Sequence, residues 1–81
     1  IDSYIADGDM VLMEPVNDPS HLRNGTVVSA MVPGLGTTLK HFFRDGSLVR
    51  LEAANASYEP IEIEAEQVHV QGKLTAVWRK T

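Results

Sequence analysis

Thr37-Thr38-Leu39-Lys40-His41-Phe42-Phe43-Arg44-Asp45-Gly46-Ser47-Leu48-Val49-Arg50-Leu51-Glu52-Ala53 decides the fold. Thr37 to Arg44 is rich in threonine and aromatic residues, which suit a pleated, half-buried surface. Asp45-Gly46 then supplies the positive φ that a tight hairpin turn demands, the strongest such signal in the chain. Leu48 to Ala53 returns as the partner strand. The stretch therefore predicts an antiparallel hairpin.

The same punctuation extends in both directions. Upstream, the turn Pro33-Gly34-Leu35-Gly36 separates the hairpin from Thr26 to Val32, which is expected to be a buried strand. Before it, Glu14 to Asn24 is a loop broken by Pro15, Asn17, Asp18, Pro19 and Asn24-Gly25. The unbroken apolar run Met10-Val11-Leu12-Met13 suits a strand covered on both faces. Downstream, Ala54 to Pro60 is a loop and Ile61-Glu62-Ile63-Glu64 alternates. The last segment places Val68, Val70, Leu74, Ala76 and Trp78 on one face, with Gly72 in phase. His69, Gln71, Lys73, Thr75, Val77 and Arg79 face the other way. No helix longer than one turn is expected. The fold class is all-β: bent, mostly antiparallel sheets.

Eighty-one residues make one domain, 1–81. An apolar fraction of 43% supports a core rather than disorder. With one Trp, two Tyr and two Phe, that core must rest on Val, Leu, Ile and Met. A core this small gains stability from a partner subunit. The absence of cysteine excludes disulfides, a thiolate zinc site and cysteine catalysis, and fits a cytoplasmic protein. No apolar run approaches the roughly 20 residues that cross a bilayer. The net charge is −4 and the seven Lys and Arg are scattered, so no basic stripe exists to neutralise phosphates. Direct DNA binding is not expected.

Lys40 stands out among residues able to do chemistry. Alternation sets it on the face of Thr38 and Phe42. Apolar surroundings disfavour a charged ammonium, and a neutral amine can act as a general base. The commoner alternative is a lysine that snorkels or blocks a strand edge. Ser3 is read as a solvated residue near a chain end. His21, His41 and His69 match no metal-ligand spacing, and His41 faces away from Lys40. Neither metal nor cofactor is expected. Glu62, Glu64 and Glu66 form an acidic comb, best read as a solvated face. Gly34-Leu35-Gly36 lacks the following helix that a phosphate loop needs. Asp7-Gly8-Asp9 reads as a turn, and the acceptor patterns Asn24-Gly25-Thr26 and Asn55-Ala56-Ser57 as coincidental.

Five segments, in order and covering nearly the whole chain, resemble one family. They are Ile5-Ala6-Asp7-Gly8-Asp9-Met10-Val11-Leu12, Asn24-Gly25-Thr26-Val27-Val28-Ser29-Ala30, Thr37-Thr38-Leu39-Lys40-His41-Phe42, Ala54-Asn55-Ala56-Ser57-Tyr58-Glu59-Pro60-Ile61 and Gln71-Gly72-Lys73-Leu74-Thr75-Ala76-Val77-Trp78-Arg79. Together they resemble the C-terminal domain of the LexA repressor family, S24-type serine peptidases, and most of all its cyanobacterial members. The resemblance implies a LexA/signal-peptidase-like fold and assigns Lys40 as the general base of a Ser/Lys dyad. It also implies a repressor of DNA-damage genes that cleaves itself when stimulated by a recombinase filament. The family's serine would fall two positions before Ile1, so this sequence is read as truncated at its N-terminus and without activity of its own. Two other readings remain. One is a non-catalytic dimerisation module with degenerate protease chemistry. The other is a signal-peptidase-like enzyme, which would need a membrane anchor. A homodimer through the last strand is expected.

Overall fold

The computed structural model describes residues 10–53 and 59–78. Six strands form one antiparallel sheet: β1 (Met10–Pro15), β2 (Thr26–Val32), β3 (Gly36–Asp45), β4 (Leu48–Glu52), β5 (Ile61–Glu64) and β6 (His69–Trp78). Their spatial order is β1-β6-β2-β3-β4-β5, so β2 to β5 run as a meander while the last strand returns between β1 and β2. The helical content of the described residues is two single 3-10 turns, Pro19–His21 and Ala65–Gln67. The all-β antiparallel class is as the sequence predicted.

One face of the sheet holds the core. Val28, Ala30 and Val32 on β2 stand opposite Lys40, Thr38 and Gly36 on β3, and Phe42 on β3 stands opposite Leu51 on β4. Val49 and Leu51 in turn face Ile63 and Ile61 on β5. Because directly paired residues share a face, all of these side chains point the same way. The buried set is Val28, Ala30, Val32, Phe42, Val49, Leu51 and Val70. Val16 and Leu22 from the loop after β1, with Ala65 and Val68, pack against them.

The two outer expectations are corrected. Met10, Val11 and Leu12 are exposed and only Met13 is half-buried, because β1 is the edge strand of the described sheet rather than a strand covered on both faces. In β2, burial is confined to the core face, and Met31 on the other is 45% exposed.

The expected single apolar face of the last strand is broken twice. Ala30 pairs with Val70 but Ser29 pairs with Gly72, so Gln71 is an extra residue, a β-bulge. Met13 pairs with Leu74 but Leu12 pairs with Ala76, so Thr75 is a second. The Thr75 hydroxyl donates to the Leu12 carbonyl at 3.1 Å. Between the bulges the phase is inverted: Lys73 lies on the core face and Leu74 on the outer one. Trp78 returns to the core face, yet it lies beyond the buried region and is 55% exposed. Nor is β6 a free terminal strand. It pairs with β1 along one side and, through His69 to Lys73, with β2 along the other. Among the described residues, Leu74 to Trp78 pair with β1 alone.

Candidate functional site

β3 carries Lys40 in the middle of the sheet. The neighbouring hairpins fix its place. At the tip between β2 and β3, the Leu35 N–H donates to the Val32 carbonyl at 3.0 Å, and Gly34 and Gly36 take φ of +84° and +77°. Gly34-Leu35-Gly36 is thus a hairpin turn. At the other end of β2, the Gly25 N–H donates to the Phe42 carbonyl at 2.7 Å. The Arg44 N–H donates to Asn24 Oδ1 at 2.9 Å. Register between β2 and β3 is therefore tied at both ends, and Lys40 is held opposite Val28.

Lys40 is half-buried, on the core face, with Thr38 and Phe42 before and after it on that face. Val28 beside it is fully buried. Across Val28, on β6, stands Lys73, which is also half-buried. Across Lys73, on β1, stands Glu14. Glu14, Lys73, Val28 and Lys40 thus form one row perpendicular to the strands. Sequence reasoning placed Lys73 on the opposite face; the bulge at Gln71 turns it inward. Strict alternation cannot foresee that inversion, although the Gly72 that follows Gln71 is a signal of irregular pairing. A groove of about 160 Å³ lies at this end of the row, lined by Glu14, Pro15, Val16, Asp18, Leu22 and Lys73 among others.

The other candidates are dispersed. His21 lies 3.2 Å from Asp18 at the exposed 3-10 turn. The Ser20 side chain and backbone N–H both donate to Asp18, at 2.6 and 3.0 Å. These bonds hold the Asp18 carboxyl below its usual value, with the neighbouring His21 assisting. His41 Nδ1 is 3.0 Å from the Gly25 carbonyl, on the face away from Lys40. His69 is exposed and pairs with Met31. Glu62 and Glu64 share the outer face, but Glu66 sits in the 3-10 turn and leaves the comb. Asn24 is occupied in the turn before β2. Ser3, Asp7-Gly8-Asp9 and Asn55-Ala56-Ser57 lie outside the described residues. Among the described residues, no three His, Asp or Glu gather as metal ligands, and no helix is long and apolar enough to cross a membrane.

The profile of the family Peptidase S24-like matches residues 2–75. The chain is 44% identical over 79 residues to the LexA repressor of Koribacter versatilis, spanning 98% of this chain and 36% of that protein. It is 41% identical over 80 residues to the LexA repressor of a Roseiflexus species, again spanning 98% of this chain and 35% of the relative. Similarity extends to a cyanobacterium: the transcription regulator LexA of a Synechocystis species is 33% identical over 79 residues, 98% of this chain and 39% of that protein. The chain therefore spans a little over a third of the length of these relatives. The match over residues 2–75, with identities of 33–44% to these relatives over 98% of the chain, shows that the chain belongs to the Peptidase S24-like family.

Proposed function

We propose that this chain is the dimerisation and self-cleavage domain of a LexA-like transcriptional repressor of the DNA-damage response. The observation that carries the reading is the position of Lys40: half-buried, on the core face and beside fully buried Val28, in a chain whose relatives are LexA repressors. In the intact protein, the neutral amine of Lys40 takes the proton of a serine hydroxyl. The serine oxygen attacks a carbonyl in the linker ahead of the domain, the peptide C–N bond breaks as the proton passes to the departing amine, and water then hydrolyses the serine ester, releasing a carboxylate and restoring the hydroxyl. Docking of the linker over Lys40 excludes water, which favours the neutral amine; a recombinase filament would act by promoting that docking. The protein would work in the cytoplasm, and this domain would make no direct contact with DNA.

The test uses a longer chain that includes the segment upstream of Ile1. Incubated at alkaline pH, it should cleave itself, and Lys40→Ala should slow cleavage at least a hundredfold. Cleavage at the wild-type rate by Lys40→Ala would overturn the reading. If a residue other than serine stands two positions before Ile1, the non-catalytic dimerisation module becomes the better one.

Dimerisation has a specific support. Among the described residues, the edge of Leu74 to Trp78 away from β1 has no paired strand, and unpaired backbone invites one. Met10, Leu12 and Trp78 beside it are 68%, 50% and 55% exposed. Two copies related by a twofold axis would pair these stretches antiparallel and cover that apolar surface. Sedimentation across a concentration series should show a dimer that Trp78→Lys weakens. A strictly monomeric folded chain at high concentration would rule the pairing out.

A further inference from the structure

Asn24 is followed by Gly25. Glycine has no Cβ, so its backbone nitrogen is the least hindered toward the side-chain amide of the residue before it. Attack of that nitrogen on the asparagine amide carbon closes a cyclic imide and expels ammonia, and water then opens the ring to aspartate or isoaspartate. The fold bears on both partners in this reaction. Arg23 to Thr26 form a tight turn, in which the Thr26 N–H donates to the Arg23 carbonyl at 3.2 Å and the Thr26 hydroxyl to the same oxygen at 2.7 Å. Gly25 takes φ of +94°, and among the described residues no other than glycine has a positive φ. That combination is a type II turn with Asn24 in its second position, where the backbone swings the following nitrogen away from the side chain. The Gly25 N–H also donates to the Phe42 carbonyl at 2.7 Å, and this is the proton that the nitrogen must lose before it can attack. The Arg44 N–H acts in the opposite sense. It donates to Asn24 Oδ1 at 2.9 Å, draws electron density from the amide carbon and makes it the better electrophile. The folded turn thus holds a primed carbon beside a restrained nitrogen.

We propose that Asn24 is a site of spontaneous deamidation, kept closed by the folded turn and opened when Gly25 parts from Phe42. Water and base suffice. The Gly25 nitrogen gives its proton to hydroxide, the bond from that nitrogen to Cγ of Asn24 forms, the Cγ–Nδ2 bond breaks and ammonia leaves. Water then hydrolyses the imide at either carbonyl. The aspartyl product keeps an oxygen for the Arg44 N–H and adds a negative charge. The isoaspartyl product routes the main chain through the former side chain and lengthens it by one carbon, at the residue that ties the start of β2 to the end of β3. The bond to Arg44 is lost, and with it one of the anchors of the strand that carries Lys40. Deamidation is slow beside the opening and closing of a turn, so its rate tracks the fraction of molecules in which the turn is open. The site is independent of the proposed self-cleavage.

The 81-residue chain is incubated folded and in concentrated urea at the same mildly alkaline pH, and the tryptic peptide that starts at Asn24 is followed by mass spectrometry. In urea, Asn24 should react faster than Asn17 and Asn55, which precede the bulkier Asp18 and Ala56. Folding should slow the reaction of Asn24 at least about tenfold. Thr26→Val keeps the branched shape and loses the hydroxyl bond to Arg23, so it should speed deamidation of the folded chain about two- to tenfold and leave the rate in urea unchanged. Thermal melts establish that the variant is folded. The isoaspartyl form, separated by ion exchange, should show faster hydrogen exchange at the Arg44 amide than the parent chain. Equal rates at Asn24 in folded and unfolded chains overturn the proposal. So does a folded Thr26→Val that reacts no faster than the parent, or an isoaspartyl form in which the Arg44 amide stays as protected as before.

Discussion

The centre of the sheet and its β1–β6 flank are built by different rules. From β2 to β5 every ladder runs without a register shift, the alternation of the sequence maps directly onto two faces, and Phe42, Leu51 and Val28 are almost fully buried. Along β6 each ladder contains a shift, one with β2 and one with β1. There the apolar residues Met10, Leu12 and Trp78 stay exposed while a lysine is turned inward. The centre is organised for stability. The flank gives up regular pairing and gains side chains aimed where alternation would not put them.

If that division is right, the centre should be the fragile half. Phe42→Ala should cost about 3–5 kcal/mol in urea unfolding, enough to unfold a domain of this size, whereas Leu12→Ala, on the exposed flank, should change monomer stability by less than about 0.5 kcal/mol. Comparable losses for the two would erase the distinction. The flank has one tight point of its own. A Cβ at position 72 would sit 3.1 Å from the Glu14 carbonyl oxygen, a backbone atom that cannot step aside alone. Gly72→Ala should therefore destabilise by about 1–3 kcal/mol. A neutral result would mean that β1 is free to move away from β6. A smaller effect is expected at the second bulge: Thr75→Val loses the hydrogen bond to Leu12 and should cost about 0.5–1 kcal/mol.

The smallest effect lies in the loop between β1 and β2. Hydrogen bonds from Ser20 hold the Asp18 carboxyl below its ordinary value of 3.8, and His21 adds to them. The folded value is depressed, so the stabilisation it gives is present above the unfolded value and is lost as pH falls through the folded one. Asp18→Ala should flatten the acid limb of the stability curve between about pH 4 and lower values. Superimposable acid limbs for the two proteins would remove Asp18 from the account.

The sequence disclosed the centre because its signals were local. Asp45-Gly46 and Gly34-Leu35-Gly36 set two hairpins, and alternation within each strand then chose the face of Lys40 correctly relative to Phe42. It disclosed the flank poorly for two reasons. The partner of β6 lies at the other end of the chain, so nothing near it in sequence reveals that it enters the sheet between β1 and β2. A bulge also inserts one residue without any compositional mark stronger than a glycine. Alternation alone therefore puts Lys73 on the wrong face, and the run Met10 to Met13 reads as a doubly covered strand although its place at the sheet edge leaves Met10, Val11 and Leu12 exposed and Met13 half-buried.

The pairing of β1 with β6 has a further consequence, in time rather than in space. The meander from β2 to β5 joins neighbours in sequence and needs only short loops to close. The β1–β6 ladder joins Met10 to Trp78 and can close only after the rest of the chain has been gathered between them. It should form last and open first, exposing the inner edge of β6 while the meander stays intact. Backbone amides of β1 should then exchange with solvent by local opening, faster than those of Val28, Phe42 and Leu51. A change that slows the joining of the two ends would delay folding without altering the core itself.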